Sequence, residues 1–380
     1  MRKGIRLPFK LLGIPVTLDP SFLLVLPLFA YLIGSQVPAL VVLLSQLGIV
    51  DAGAAGVSQE AARRALGEGF TPWLLGLGGA LGLFTSVVIH ELGHAAVARL
   101  YGVETVEIRL WFLGGVAQFK DMPRQRGAEA LVALAGPVTS AALGALTWLL
   151  APVVPLGLGV QVVIAYVAVT NLALALFNLL PALPLDGGRI LRSLLALVFD
   201  RLRSTTIAVA ISGILAVALG VYGFFTGQFF LVIMAFFVYN AGRAEASAAY
   251  LDDAVGSLSV ADLMTREPLS VQSDMPLTQF ARLSDYRRHA GYPVVDDGRL
   301  VGYAFVSSAG HEAHGEDATV ADVMLPAETA SPTEPALDAL QRIATSETGR
   351  LMVVAPDGEL VGVVSKSDLI RILGKAKRGR

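Results

Sequence analysis

Up to about residue 241 the chain is a series of long apolar runs separated by short polar breaks; beyond it the pattern changes. A helix needs roughly 17–25 apolar residues to cross a bilayer. Six stretches are read as spans: 14–35 (interrupted by Pro20 and Pro27), 72–100, 128–151, 159–180, 205–226 and 228–241. Residues 37–50 are apolar but short, and fit a re-entrant or interfacial segment. Residues 51–70 are small and polar and read as a loop or surface helix. Between the second and third spans, Val103 to Lys120 is rich in β-formers around Gly114-Gly115, which predicts a short hairpin or strand pair. Such backbone at membrane depth must be covered by protein or line a wet cavity.

After residue 250 the chain repeats itself. Val260-Ala261-Asp262-Leu263-Met264 returns as Val320-Ala321-Asp322-Val323-Met324, and the stretch ending Asp297-Gly298-Arg299-Leu300-Val301-Gly302 returns as Asp357-Gly358-Glu359-Leu360-Val361-Gly362. Each copy reads as alternating strands and helices, and two copies can bury a core that neither closes alone. The expected organisation is a membrane domain at 1–250, a linker at 251–257 and a repeat pair at 258–373, with copies at 258–310 and 317–373. A basic tail follows at 374–380.

Composition sharpens this division. The chain is 54% hydrophobic and 16% charged, where soluble domains run nearer 25% charged. Residues 1–250 hold 16 Lys and Arg against 12 Asp and Glu, a balance of +4; the remainder holds 13 against 19, or −6. The second part is therefore soluble and acidic, with no nucleic-acid footprint. With no cysteine in the chain, thiol catalysis and disulfides are excluded. The first apolar run has no usual cleavage site and reads as a retained anchor. Lys and Arg gather on one side of the spans, and Arg63 and Arg64 stand alone on the other. That asymmetry predicts a multi-pass protein of the cell membrane with both termini and the repeat pair in the cytosol.

One apolar run carries chemistry. Trp73 to Ile89 has no charged side chain, and His90-Glu91-Leu92-Gly93-His94 follows directly. Ionisable groups at membrane depth are costly and by default functional. Histidines at i and i+4 share one helix face, which suits two zinc ligands with Glu91 beside them as general base. A catalytic zinc site needs a third protein ligand and an open position. The other histidines, His289, His311 and His314, lie in the soluble part, so the third ligand must be a carboxylate. Asp186 is the best candidate, after Pro181 and Pro184 and before Gly187-Gly188, with a helix expected to restart near Arg189. A helix-capping role fits Asp186 too. Asn178, eight residues upstream, can donate to an oxyanion, or bond backbone freed by Pro181. Gly136 and Ser140 fit a small-xxx-small helix contact. His311 and His314 with Glu312 read as a solvated loop.

The His90 to His94 helix, the turn Gly136-Pro137-Val138-Thr139-Ser140 and the segment from Asn178 through Pro181 to Leu185-Asp186-Gly187-Gly188 together resemble the site-2 protease family of intramembrane zinc metalloproteases. The likeness covers roughly residues 5–245. It implies His90, His94 and Asp186 as zinc ligands, Glu91 as base, and single-span membrane proteins as substrates, of the anti-sigma factor or membrane-tethered regulator type. It also implies that Gly114, Gly115, Val116 and Gln118 lie by the site, where an unwound substrate adds as an edge strand. The repeats resemble a tandem pair of CBS domains, which implies binding of an adenine nucleotide and dimerisation through the pair. The second copy has the nucleotide pattern in Gly362 to Asp368, with Ser365 for phosphate and Asp368 for ribose; in the first, Phe305 and Ser308 replace those groups. Ser365 reads equally as a helix N-cap. The fold class expected is a polytopic α-helical membrane domain of about six transmembrane helices with a short β-hairpin, plus a soluble α/β CBS pair. The expected function is regulated intramembrane proteolysis. A CBS-gated transporter and a non-proteolytic zinc-binding escort are the alternatives.

Overall fold

The protein is described by a computed structural model, covering residues 4–50, 58–112, 114–120, 125–153, 157–286, 291–307, 317–346 and 348–368. The His311–His314 cluster, Ser308 and the basic tail lie outside the described residues. Two compact units divide at Ala246 and Ser247.

The first unit opens with a hairpin, β1 (Ile5–Leu11) and β2 (Ile14–Leu18), turned by Leu12 and Gly13 at φ 50° and 85°. Helices α1 (Phe22–Ser35), α2 (Val37–Gln46) and α3 (Gln59–Gly67) follow, and then the long α4 (Thr71–Leu100). Strands β3 (Thr105–Trp111) and β4 (Gly114–Phe119) form the expected hairpin. The rest is helical: α5 (Ala128–Leu150), α6 (Leu158–Asn178), α7 (Asp186–Leu195), α8 (Arg201–Phe225) and α9 (Phe229–Val255).

Two sequence expectations need correction. Residues 14–18 do not begin a span: β2 pairs antiparallel with β1 and parallel with β3, making a four-stranded sheet in the order β1-β2-β3-β4. An apolar run does not by itself separate strand from helix, and here a left-handed turn and a waiting strand edge decide it. The remainder, α1, has 14 residues, about 21 Å of helix, which is short for a bilayer core of roughly 30 Å. It bends by 62° into α2. Among the described residues α4, α5, α6, α8 and α9 are long and apolar enough to cross a membrane, and the bent pair makes six if it counts as one. The second correction is that the helix after Pro184 restarts at Asp186, so that Gly187 and Gly188 lie in its first turn. A Cβ on either would strike the backbone of Leu179 to Leu183. The glycines therefore permit close approach rather than a turn.

Helix α9 runs on to Val255, so the segment joining the last apolar run to the repeats is largely helical. The second unit contains α10 (Val260–Leu263), β5 (Thr265–Arg266), α11 (Leu277–Tyr286), β6 (Gly291–Asp296) and β7 (Arg299–Phe305) from the first copy. The second copy supplies a 3-10 turn (Val320–Asp322), β8 (Thr329–Ala330), α12 (Ala336–Thr345), β9 (Arg350–Val354) and β10 (Leu360–Ser365). The copies exchange their opening segments. β5 pairs with β10 in the sheet β5-β10-β9-β8, and Val260 and Leu263 are buried among Leu340, Leu351 and Val364 of the second copy. Reciprocally, Val320 is buried among Phe280, Tyr292 and Val294 of the first, and Leu325 bridges Tyr303.

Candidate active site

Helix α4 packs on α1, α5 and α6, with β3 and β4 against its motif-bearing end. Its polar face carries Ser86, His90 and His94 at intervals of four residues, all buried. The non-helical stretch 179–185, whose Leu183–Pro184 bond is cis, brings Asp186 to this face. Its backbone N–H groups are paired: Ala182 and Leu185 bond within the stretch, and the Leu183 N–H donates to Ser212 Oγ of α8 at 2.7 Å.

Three ligand atoms converge there. His90 Nε2 lies 3.1 Å and His94 Nε2 3.3 Å from Asp186 Oδ2, and the two Nε2 atoms are 3.2 Å apart. Ligands at about 2.0–2.1 Å around a tetrahedral zinc stand about 3.3–3.4 Å from one another. The spacing and the His₂-carboxylate donor set thus fit zinc. The second ring nitrogens fit it too. The Val132 carbonyl, 2.8 Å from His94 Nδ1, can only accept, so His94 carries a proton on Nδ1, which leaves Nε2 as the nitrogen that could hold a metal. His90 Nδ1 is 2.9 Å from Ser140 Oγ of α5.

Glu91 is half-buried and faces the sheet. Its Oε2 accepts a hydrogen bond from the backbone N–H of Ala117 at 2.8 Å. Strand β4, which carries the predicted Gly114, Gly115, Val116 and Gln118, pairs among the described residues only with β3, which leaves its other edge open. A Cβ on Gly115 would stand 3.2 Å from Glu91 Cγ and clash with Val87, so the missing side chain seats the strand on the motif. Asn178 ends α6 and donates to the Leu174 carbonyl one turn back, at 3.0 Å. Among the described residues it bonds none of His90, Glu91, His94 and Asp186.

Three contributors were not legible in the sequence as such. Gly136 and Ser140 read as packing positions, yet a Cβ on Gly136 would fall on His94 Nε2 and His90 Nε2, and Ser140 orients His90. The Ala117 backbone, not a side chain, meets Glu91. In the second unit, Ser365 and Asp368 do come together: Asp368 Oδ2 accepts from Ser365 N and Oγ at 3.0 and 2.8 Å, and Thr265 Oγ1 donates to Asp368 Oδ1 at 3.2 Å.

Comparison with known proteins shows the family. Residues 78–157 and 156–222 match the model of peptidase family M50, and residues 260–304 and 320–375 match the CBS domain. The chain is 33% identical over 291 residues to a zinc metalloprotease of Methanocaldococcus jannaschii, covering 77% of this chain and 83% of that protein. It is 29% identical to a candidate zinc metalloprotease of Synechocystis sp., covering 96% of this chain and 94% of that one. A solved structure, the site-2 protease from M. jannaschii, aligns with 64% of this chain and 95% of its own at 30% identity and a TM-score of 0.42. The chain belongs to peptidase family M50, the site-2 proteases, and carries a tandem CBS pair. It is an intramembrane zinc metalloprotease.

Proposed function

We propose that the protein hydrolyses peptide bonds in or near the transmembrane segment of single-span membrane proteins, with one zinc ion held by His90, His94 and Asp186. The observation that carries this reading is the approach of Nε2, Nε2 and Oδ2 to within 3.1–3.3 Å of one another. When bound, zinc supplies a Lewis acid that makes water acidic enough to attack at neutral pH and polarises the scissile carbonyl. Glu91 takes the proton of the attacking water and returns it to the leaving amine. Val132 and Ser140 hold the imidazoles in place. The substrate unwinds and adds along the open edge of β4 at Gly114, Gly115, Val116 and Gln118, where main-chain hydrogen bonds give affinity with little side-chain selection. A substrate carbonyl that accepts the Ala117 N–H displaces Glu91 Oε2, so docking frees the base. The remaining amide hydrogen of Asn178 serves the oxyanion once substrate is seated.

Both termini and the CBS pair lie in the cytosol in this reading, supported by the Lys and Arg asymmetry. An adenine nucleotide binds the second copy through Ser365 and Asp368 and tunes cleavage, and the pair joins two molecules. Support for the nucleotide is the sequence pattern in Gly362 to Asp368; the bonds of Asp368 to Ser365 and Thr265 gather these residues in one place and also cap the helix start. Cleavage of a single-span reporter by purified protein, wild type beside Glu91→Gln, tests the catalytic reading. Glutamine keeps the shape and the metal ligands but takes no proton, so a loss of roughly 10²–10⁴-fold is expected with zinc retained. Equal cleavage in both sinks it. AMP, ADP or ATP that alters neither the cleavage rate nor the melting of the tail sinks the regulatory part.

A further inference from the structure

Among the described residues one buried side-chain polar atom has no hydrogen-bond partner, Asn171 Oδ1 on α6. The residue is 1% exposed. Its Nδ2 donates to Ser86 Oγ of α4 at 2.8 Å and to the Val167 carbonyl at 2.8 Å. The Ser86 hydroxyl proton is itself committed to the Gly82 carbonyl. Both neighbours are therefore acceptors, and the amide cannot be turned over to satisfy its oxygen.

A matching donor lies one step away. If His90 ligates metal through Nε2, its proton sits on Nδ1 and is donated to Ser140 Oγ, 2.9 Å away. The Ser140 hydroxyl then has its own proton to give, and among the described residues no acceptor receives it. Both open ends face one seam. Ser86 and His90 are successive turns of one face of α4; Asn171 meets the first and Ser140 the second. Helices α5 and α6 close on each other at Gly144, where a Cβ would stand 2.9 Å from Leu172 Cγ and 3.1 Å from the Ala168 carbonyl. Asn171 sits at that crossing, beside Leu172, and Ser140 lies one turn away along α5, as His90 lies one turn from Ser86. A gap of about one helical turn, roughly 5 Å, is one that a single water spans with two hydrogen bonds.

We propose that Asn171 is a positioning residue of the metal site: through one buried water it holds the Ser140 hydroxyl, and through it the His90 imidazole, in the ligating orientation. The inference rests on the assignment of His90 as a zinc ligand. It joins α6 to a site whose ligands come from α4 and α7, and gives a buried amide in a mainly apolar span a use.

The test is a cycle of Asn171→Leu, Ser140→Ala and the double variant in purified full-length protein. Zinc affinity is read by chelator competition, and cleavage kinetics beside it. Loss of an outer partner of a metal-bound histidine costs roughly 10–100-fold in affinity or activity. Each single variant is expected about tenfold down in zinc affinity, with kcat lowered and KM unchanged, and the double no worse than Ser140→Ala. Asn171→Ala removes the acceptor without adding a charge or bulk, and is expected to show the same roughly tenfold loss. Wild-type zinc affinity in Asn171→Leu overturns the proposal, and so does a double variant whose loss is the product of the two. If Asn171→Leu does not fold, Ser140→Ala and Asn171→Ala decide: wild-type zinc affinity in either overturns it. His90→Ala separates the two levels, because stoichiometric zinc retained there sinks the ligand assignment itself.

Discussion

The site-bearing face of α4 and the tail use polar residues in different ways. In the membrane unit, the inward face of α4 has three buried polar side chains, Ser86, His90 and His94, and each has a partner on another element: Asn171, Ser140 and Asp186 in turn for Ser86 and His90, and Val132 for His94. In the tail, polar side chains are abundant and mostly serve the backbone. Ser259 with Asp262 and Thr319 with Asp322 form capping boxes at the openings of the two copies, and Ser365 with Asp368 follows the same pattern. A polar residue is informative in proportion to what its placement costs. A glutamate and two histidines in a charge-free apolar run announce a site, whereas a serine and an aspartate three residues apart on a soluble domain announce first a helix start.

The largest effect that would break this contrast comes from the smallest change. Gly136→Ala puts a methyl group onto the His90 and His94 ring nitrogens, with no flexible neighbour to yield. Bound zinc and cleavage are both expected to vanish while the protein still inserts in the membrane. Metal content by elemental analysis checks it; a variant that keeps one zinc per chain would mean that α4 and α5 do not approach as closely as the site demands.

Separating the tail copies is the next largest test, because their cores are exchanged. A fragment of residues 258–307 carries Val260 and Leu263 but not Leu351 and Val364, which cover them, and lacks Val320, which fills its own core. It is expected to be unfolded by circular dichroism, while residues 247–380 fold. The repeat itself was plain in the sequence, since Val260 to Met264 and Val320 to Met324 are near copies. Which core each copy enters was not, because a repeat records similarity and not pairing. The same limit hid β2: Ile14 to Leu18 is apolar enough for a helix, and its fate depends on a β3 that lies ninety residues on. His90, Glu91, His94 and Asp186 were legible because ionisable groups at that depth have few other uses. Ser140, Gly136 and Asn171 were not, since small and weakly polar residues are common in packed membrane helices and only their neighbours give them a role.

A test of intermediate size concerns the cytosol-facing side of the membrane unit in the proposed orientation. Arg192 of α7 is paired with Glu129 of α5 and Glu245 of α9, and Ser193 beside it accepts the Ala130 N–H at 3.2 Å. These bonds fix the helix that begins with Asp186. Arg192→Leu leaves two carboxylates facing each other without their cation, a loss of about 3 kcal/mol for a largely buried cluster. Thermal unfolding in detergent should show it. Arg192→Lys, which keeps charge but loses the two-sided fork, should fall between. Full stability in Arg192→Leu would mean that the charges are solvated and that α7 is held by packing alone.

The smallest effect sharpens the tail's side of the comparison. Asp262 accepts the Ser259 backbone N–H at 2.8 Å and the Ser259 hydroxyl at 2.7 Å. The backbone bond first, then the hydroxyl, hold its carboxyl below the ordinary aspartate range. A lowered folded value means that the carboxylate adds stability above the unfolded aspartate pKa of about 3.9, and that this contribution is lost as pH falls through the folded value. Asn in its place is neutral throughout. The tail with Asp262→Asn should therefore be slightly less stable than wild type at pH 7, and the difference should close below about pH 4. Urea melts of residues 247–380 at several pH values measure it. A difference that persists unchanged to pH 2 would show that the side chain acts by shape and not by charge, and would weaken the view that the tail's acids are spent on capping its own helices.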